Sequence, residues 1–252
     1  MIISFLSAKG GVGKTTIVAN LGIALTKFFS KRVLLVDGNI TTPTLGIHLG
    51  ILSQQRTINE VLSGDLPIKE CIYIHPSEVH LIPASLEPLE EYPDPLYLKD
   101  RLKEVKEEYD FILIDGAAGI GREVIGALKA SDGYFLVCNP EMTSIIASMK
   151  AMKIGNKLEK EFLGIILNKV EGKKYELKVE KIEDITNARV VVKLPFEKKV
   201  IESIKKMEPL VAYNQKCKFS KEIIKLASLI VGEFYEEKPS IFKKILQFFK
   251  LK

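Results

Sequence analysis

The chain has 252 residues, 46% hydrophobic and 27% charged, which is enough for one sizeable α/β domain and too little for two large ones. Its formal charge of +5 is uneven: five of the 37 basic side chains fall in the last fifteen residues, KPSIFKKILQFFKLK, which hold no acid, leaving 32 basic and 32 acidic side chains balanced over the rest. No apolar run reaches the roughly 18 residues of a membrane span, and the isolated Cys71, Cys138 and Cys217 suggest neither a disulfide framework nor a C-x-x-C metal site.

In chain order, residues 1–6, MIISFL, read as a buried strand. They carry no basic leader and no cleavage site, so they are not a signal segment and a cytoplasmic protein is expected. SAKGGVGKTT follows at residues 7–16 and runs straight into a helical pattern over 14–28. A strand, a glycine-rich loop and a helix in that order build a cradle of inward-pointing N–H groups for phosphate, reinforced by the helix N-terminus. Gly10, Gly11 and Gly13 allow close backbone approach; Lys14 is placed to reach the β and γ phosphates; the Thr15 hydroxyl is placed to ligate Mg²⁺; Val12 and Thr16 are further candidate nucleotide-binding residues of the loop. Ala8 occupies the first glycine position of the G-x-x-x-x-G-K-[ST] pattern, and a dinucleotide-type G-x-G-x-x-G is ruled out because Thr16 stands where its last glycine belongs.

Further strands are expected at 33–37, 79–82, 111–115, 134–139, 162–168 and 189–194, and helices at 96–107, 120–131, 144–158, 198–207 and 221–235. Nearly all-apolar strands alternating with helical patterns predict a mostly parallel twisted sheet with helices on both faces. The Pro- and Glu-rich 83–95 reads as a surface loop, and 236–239 as a linker between a domain over 1–236 and a tail over 237–252. Asp37 and Asp115 each end a strand, where doubly wound sheets gather ligands, and with the loop before them they are candidate Mg²⁺ carboxylates. His48, His75 and His80 have no spacing that makes a metal site, and no role is assigned to them.

One feature of the loop has no use in generic phosphate binding: a second lysine, Lys9, five residues before Lys14. With it, KGGVGKT resembles the deviant phosphate loop of the MinD/ParA group of ATPases. That resemblance implies ATP and Mg²⁺ as cofactors and a face-to-face homodimer in which Lys9 contacts the partner's nucleotide, as an arginine finger does elsewhere. It also implies that Asp115 is the aspartate of the second nucleotide motif, that Gly119 belongs to the switch loop after it, and that Asp37 opens the other switch. The family usually reads D-x-D there, its second aspartate orienting the attacking water; this chain has Asn39, which can hydrogen-bond a water but not take its proton. Slow hydrolysis is expected, with a binding switch of little turnover as the alternative. NPE at 139–141 and VVKLPFEKKV at 191–200 fit the family, placing Asn168 and Pro195 near the adenine, although Asn168 also reads as a strand-end cap.

In the tail, Ile241, Phe242, Ile245, Leu246, Phe248 and Phe249 share one helical arc of about 160°, with Lys243, Lys244 and Lys250 opposite. A basic amphipathic helix with aromatics suits an anionic membrane surface, although docking on the body is the other use of such a helix. MinD proteins carry such a segment here, so the resemblance narrows to MinD-like, peripheral on the inner face of the membrane when ATP-bound and dependent on an activating or effector protein. A ParA-like reading would require DNA binding, which the neutral body does not favour. A metal-cluster carrier would require paired cysteines that are absent.

Overall fold

The structure, a computed structural model, describes residues 1–52 and 55–233; the expected tail helix and its six apolar residues lie outside them. The apolar runs form β1 (Ile2–Ser7), β2 (Val33–Gly38), β3 (Tyr73–Ile74), β4 (His80–Ile82), β5 (Phe111–Ala118), β6 (Gly133–Cys138), β7 (Glu161–Val170) and β8 (Val190–Pro195). They join one sheet in the order β3-β4-β2-β5-β1-β6-β7-β8, parallel throughout except for the antiparallel edge pair β3 and β4.

Side-chain alternation divides this sheet between two cores. Ile3, Phe5, Leu35, Leu113 and Phe135 face one side, and Ile2, Leu6, Leu34, Val36, Ile112, Ile114 and Leu136 face the other. The first core is covered by α1 (Lys14–Phe29), α2 (Leu45–His48), α9 (Leu210–Tyr213) and α10 (Lys218–Val231), and the second by α3 (Ile58–Ser63), α4 (Leu98–Leu102), α5 (Arg122–Ala130), α6 (Met142–Lys157) and α7 (Val179–Thr186). The remaining helix, α8 (Lys198–Lys206), leaves Ile201 and Ile204 exposed. Burial on both faces explains why the strands read as continuous apolar runs.

The expected helix over 96–107 is shorter: α4 is flanked by 3-10 turns at Pro95–Tyr97 and Lys106–Glu108. The chain must reverse into β5 at once, and Asp110, held by the Arg32 backbone N–H at 2.8 Å, fixes that corner. The short elements α2, α3, β3 and α9, together with α7, fall where no element was expected. For α3 a signal existed, because Thr57 and Glu60 form a capping box and Gly64 closes the other end.

Candidate nucleotide site

The phosphate loop leaves β1 in the middle of the sheet and turns into α1 through Gly13, whose φ of 96° is open to glycine at little cost. Space imposes the same choice, since a Cβ on Gly13 would lie 2.4 Å from Asn168 Nδ2. Asn168, at the end of β7, donates to the Val12 carbonyl at 2.7 Å, and its neighbour Lys169 donates to the Gly11 carbonyl at 2.7 Å. Two side chains from another strand thus hold the loop open around its cavity.

Lys14 is 9% exposed, and its ammonium donates to Ser7 Oγ at 2.9 Å, while that hydroxyl donates to the Lys9 carbonyl at 2.8 Å. Burial lowers its pKa, and the negative Asp115 and Asp37 oppose that shift.

Strand order sets the carboxylates. In the β2–β5 pairing Asp37 is the direct partner of Asp115, so two acids 78 residues apart in sequence stand side by side, at 0% and 1% exposure. Burial first, and the Asp115 charge second, push the Asp37 pKa up to about 8, against the pull of three backbone N–H donors. Those donors are Asn39 (3.1 Å), Thr44 (3.2 Å) and Leu45 (3.0 Å), so Asp37 shapes the 38–45 turn. Burial also raises Asp115, opposed by the Lys14 charge and the Thr15 hydroxyl.

Whether Mg²⁺ suits this corner is decided by its donor set. Thr15 Oγ1 donates to Asp115 Oδ2 at 2.6 Å, the Thr44 hydroxyl donates to Thr15 Oγ1 at 3.2 Å, and Asp115 Oδ1 is buried without a hydrogen-bond partner among the described residues. An unpaired carboxylate oxygen among hydroxyls and a second carboxylate is a hard-oxygen site, and a dication there would offset the Asp115 charge that, after burial, raises Asp37. Thr15 and Asp115 would hold the ion, with Asp37 behind them tied to the loop; bound there, it would neutralise phosphate charge.

Above these residues lies a cavity of about 550 Å³ lined by Gly10, Gly11, Gly13, Lys14, Thr15, Thr16, Asn39, Asn168 and Pro195. Each was expected from the sequence, and the cavity has the dimensions of a small-molecule site. Val12 sends its side chain into the core at 1% exposure and contributes only backbone. Asn39 is turned on its own loop: its amide donates to the Thr42 carbonyl and its carbonyl accepts from the Thr42 hydroxyl at 3.1 Å. Lys9 stands at the edge with its side chain 51% exposed, paired with Glu141 at 3.2 Å.

Sequence reasoning missed several lining residues. His48 bonds the Thr16 hydroxyl at 3.2 Å and the Thr44 carbonyl at 2.9 Å, while Lys169, Phe196, Val200 and Ile201 form the far wall. Only the hydroxyl-rich TTPT after Asp37 carried a signal for the Thr44 contact.

Residues 1–168 match a family model described as an AAA domain. An uncharacterised ATP-binding protein of Methanocaldococcus jannaschii is 34% identical, over 97% of this chain and 94% of its own length. The septum site-determining protein MinD of Thermotoga maritima is 30% identical, over 92% of this chain and 88% of its own. The chain belongs to the MinD/ParA family of P-loop ATPases. A solved structure of the septum site-determining protein MinD of Pyrococcus horikoshii, complexed with Mg-ADP, superposes with a TM-score of 0.85 at 32% identity, covering 91% of this chain and 95% of that one. As a family member the chain takes ATP with Mg²⁺, in agreement with the lysine, hydroxyl and carboxylate set of its cradle.

Proposed function

We propose that this family member is a MinD-like ATPase that dimerises on ATP and associates with membranes to position cell-division or related surface machinery. The observation that carries the reading is the contrast between two lysines of one loop. Lys14 is buried against its own phosphate cradle, whereas Lys9 is half exposed at the edge and aimed at a surface glutamate. A cation held outside its own site at the cost of one weak surface ion pair is free to serve a neighbour's. In this reading Lys14, Thr15 and the loop N–H groups bind the nucleotide, Asp37 and Asp115 keep the metal corner, Asn168 and Pro195 border the base, and Lys9 crosses to the partner.

Hydrolysis is slow because Asn39 orients water without accepting its proton, and the ring it makes with Thr42 occupies its amide in this state. That ring also supports the second reading, a nucleotide switch with little turnover. Membrane association rests on the basic amphipathic tail. Each lysine near an anionic leaflet contributes about 1 kcal/mol, so one tail binds weakly, while two tails on one dimer gain roughly 10² to 10⁴ in avidity. The protein would be cytoplasmic as a monomer and peripheral on the membrane as a dimer, with an activating or effector protein completing the cycle.

Light scattering of the full chain with ATP and Mg²⁺, and with ADP, tests this directly. The mass should double with ATP alone, and Lys9→Ala should bind ATP within threefold of wild type yet lose turnover by about 10³-fold. Sedimentation with anionic vesicles should require ATP and residues 237–252. A chain that stays monomeric with ATP defeats the proposal, and DNA retention without vesicle binding would point to a ParA-like protein.

A further inference from the structure

Next to the nucleotide cavity lies a second, larger open one of about 770 Å³. The two share the loop after β2: Asn39, Thr42 and Thr44 line the first, and Ile40 and Thr41 line the second. They also lie on either side of the β5–α5 connection, Ala118 at the end of β5 lining the first and Arg122 and Glu123 at the start of α5 lining the second. The loop after β2 is therefore a wall of both cavities, and the start of α5 is a further wall of the second.

These walls are tied together. The Thr41 backbone N–H and hydroxyl donate to Glu123 at 3.1 and 3.2 Å, joining the two loops. Arg122 pairs with Asp94 of the third wall, residues 91–97. That wall is seated on α5 through a glycine notch, because a Cβ on Gly126 would lie 2.4 Å from the Pro95 carbonyl oxygen. Backbone packed this closely lets a shift of the α5 N-terminus reach the 91–97 wall.

Its surface chemistry is specific. Tyr97 is 56% exposed, Tyr92 38% and, just along the loop, Leu86 42%. Glu91 lines the groove, Glu87 and Glu90 stand exposed earlier in the same loop, and none of the three enters the ion pairs formed among the described residues. Tyrosine rings with unpaired acids on the same loop, on a body whose charges balance overall, suit a cationic chain that also carries apolar side chains.

We propose that this groove docks a basic, apolar segment of a partner protein, and that its occupancy is coupled to the nucleotide on the other side of the 39–44 loop. The coupling rests on the nucleotide reading above; the docking does not. Coupling of this kind is reciprocal, so nucleotide state must change the affinity for the segment by the factor with which the segment changes nucleotide affinity.

The test pans a random dodecapeptide phage library on the full chain with ATP and Mg²⁺, then measures the winning synthetic peptides by fluorescence anisotropy. Winners are expected to combine Lys or Arg with aromatic or aliphatic residues. Tyr97→Ala and Glu91→Lys should each weaken them at least tenfold while ATP affinity stays within twofold, which also certifies that both variants fold. Replacing ATP by ADP should change peptide affinity at least threefold. The proposal is overturned if no such sequences are enriched, if both variants bind the peptides as wild type does, or if affinity is the same in every nucleotide state. A chain ending at residue 236 that binds the peptides ten times more tightly than the full chain would make the protein's own tail the occupant and displace the partner. Failure to dimerise with ATP would defeat the proposed function and leave the groove variants interpretable.

Discussion

The floor and the edge of the nucleotide cavity come from one loop and are held by opposite means. On the floor, Lys14, Asp37 and Asp115 are almost wholly buried, each charge is set against another, and backbone or hydroxyl donors fix their positions. At the edge, Lys9 and Asn39 have only an exposed ion pair and a ring within one loop. Interactions on the floor are strong because water is excluded, and they cannot rearrange cheaply. Those at the edge are weak and exchangeable, as a site must be if it is to change partners during a cycle.

Substitutions can break that contrast, and the largest effect should come from the floor. Lys14→Ala removes the buried cation and should weaken ATP binding by about 10²-fold or more, measured by titration calorimetry, since truncating one member of a buried charge set costs roughly 2 to 5 kcal/mol. Next in size is Asn39→Asp. It restores a carboxylate that accepts a proton and replaces the Asn39 donor facing the Thr42 carbonyl, so phosphate-release assays should record turnover raised by about tenfold. If turnover does not rise, the edge residue contributes nothing to water activation.

A smaller, continuous effect should appear with pH. With EDTA and without nucleotide, Asp37 keeps its proton in the folded state up to about pH 8, whereas the unfolded chain loses it near pH 4. The folded state therefore binds more protons in that window, and stability should fall as pH rises from about 4 to 8, by at most about 1.4 kcal/mol per unit. Urea midpoints should follow this slope, Asp37→Asn should flatten it, and Mg²⁺ with ATP should oppose it. Smallest of all is Glu141→Ala. It releases Lys9 from an exposed pair of about 1 kcal/mol or less, so it should leave monomer stability nearly unchanged and shift the ATP-dependent mass transition by no more than about threefold.

Legibility in the sequence followed the same division. The cradle residues were readable because glycine, lysine and threonine at fixed spacing between strand and helix have one chemical use, and they line the cavity as expected. The central strands were readable because burial on both faces writes them as apolar runs. The short α2, α3 and α9 were missed, being too brief for a period to show, and α7 was missed although Val179, Ile182 and Ile185 recur on one face of it. His48 and Lys169 were missed because each acts through a backbone or side chain distant in sequence.

The sequence by itself determined the α/β class, the phosphate loop and the oddity of a second lysine, since each depends only on residue types at short spacing. Only the tertiary structure decided that Asp37 and Asp115 are neighbours in the sheet, that Asn39 is engaged with its own loop, and that the 39–44 segment divides two cavities. The physical reason is strand order: β5 inserts between β1 and β2, and no local pattern in a chain encodes which strand lies beside which.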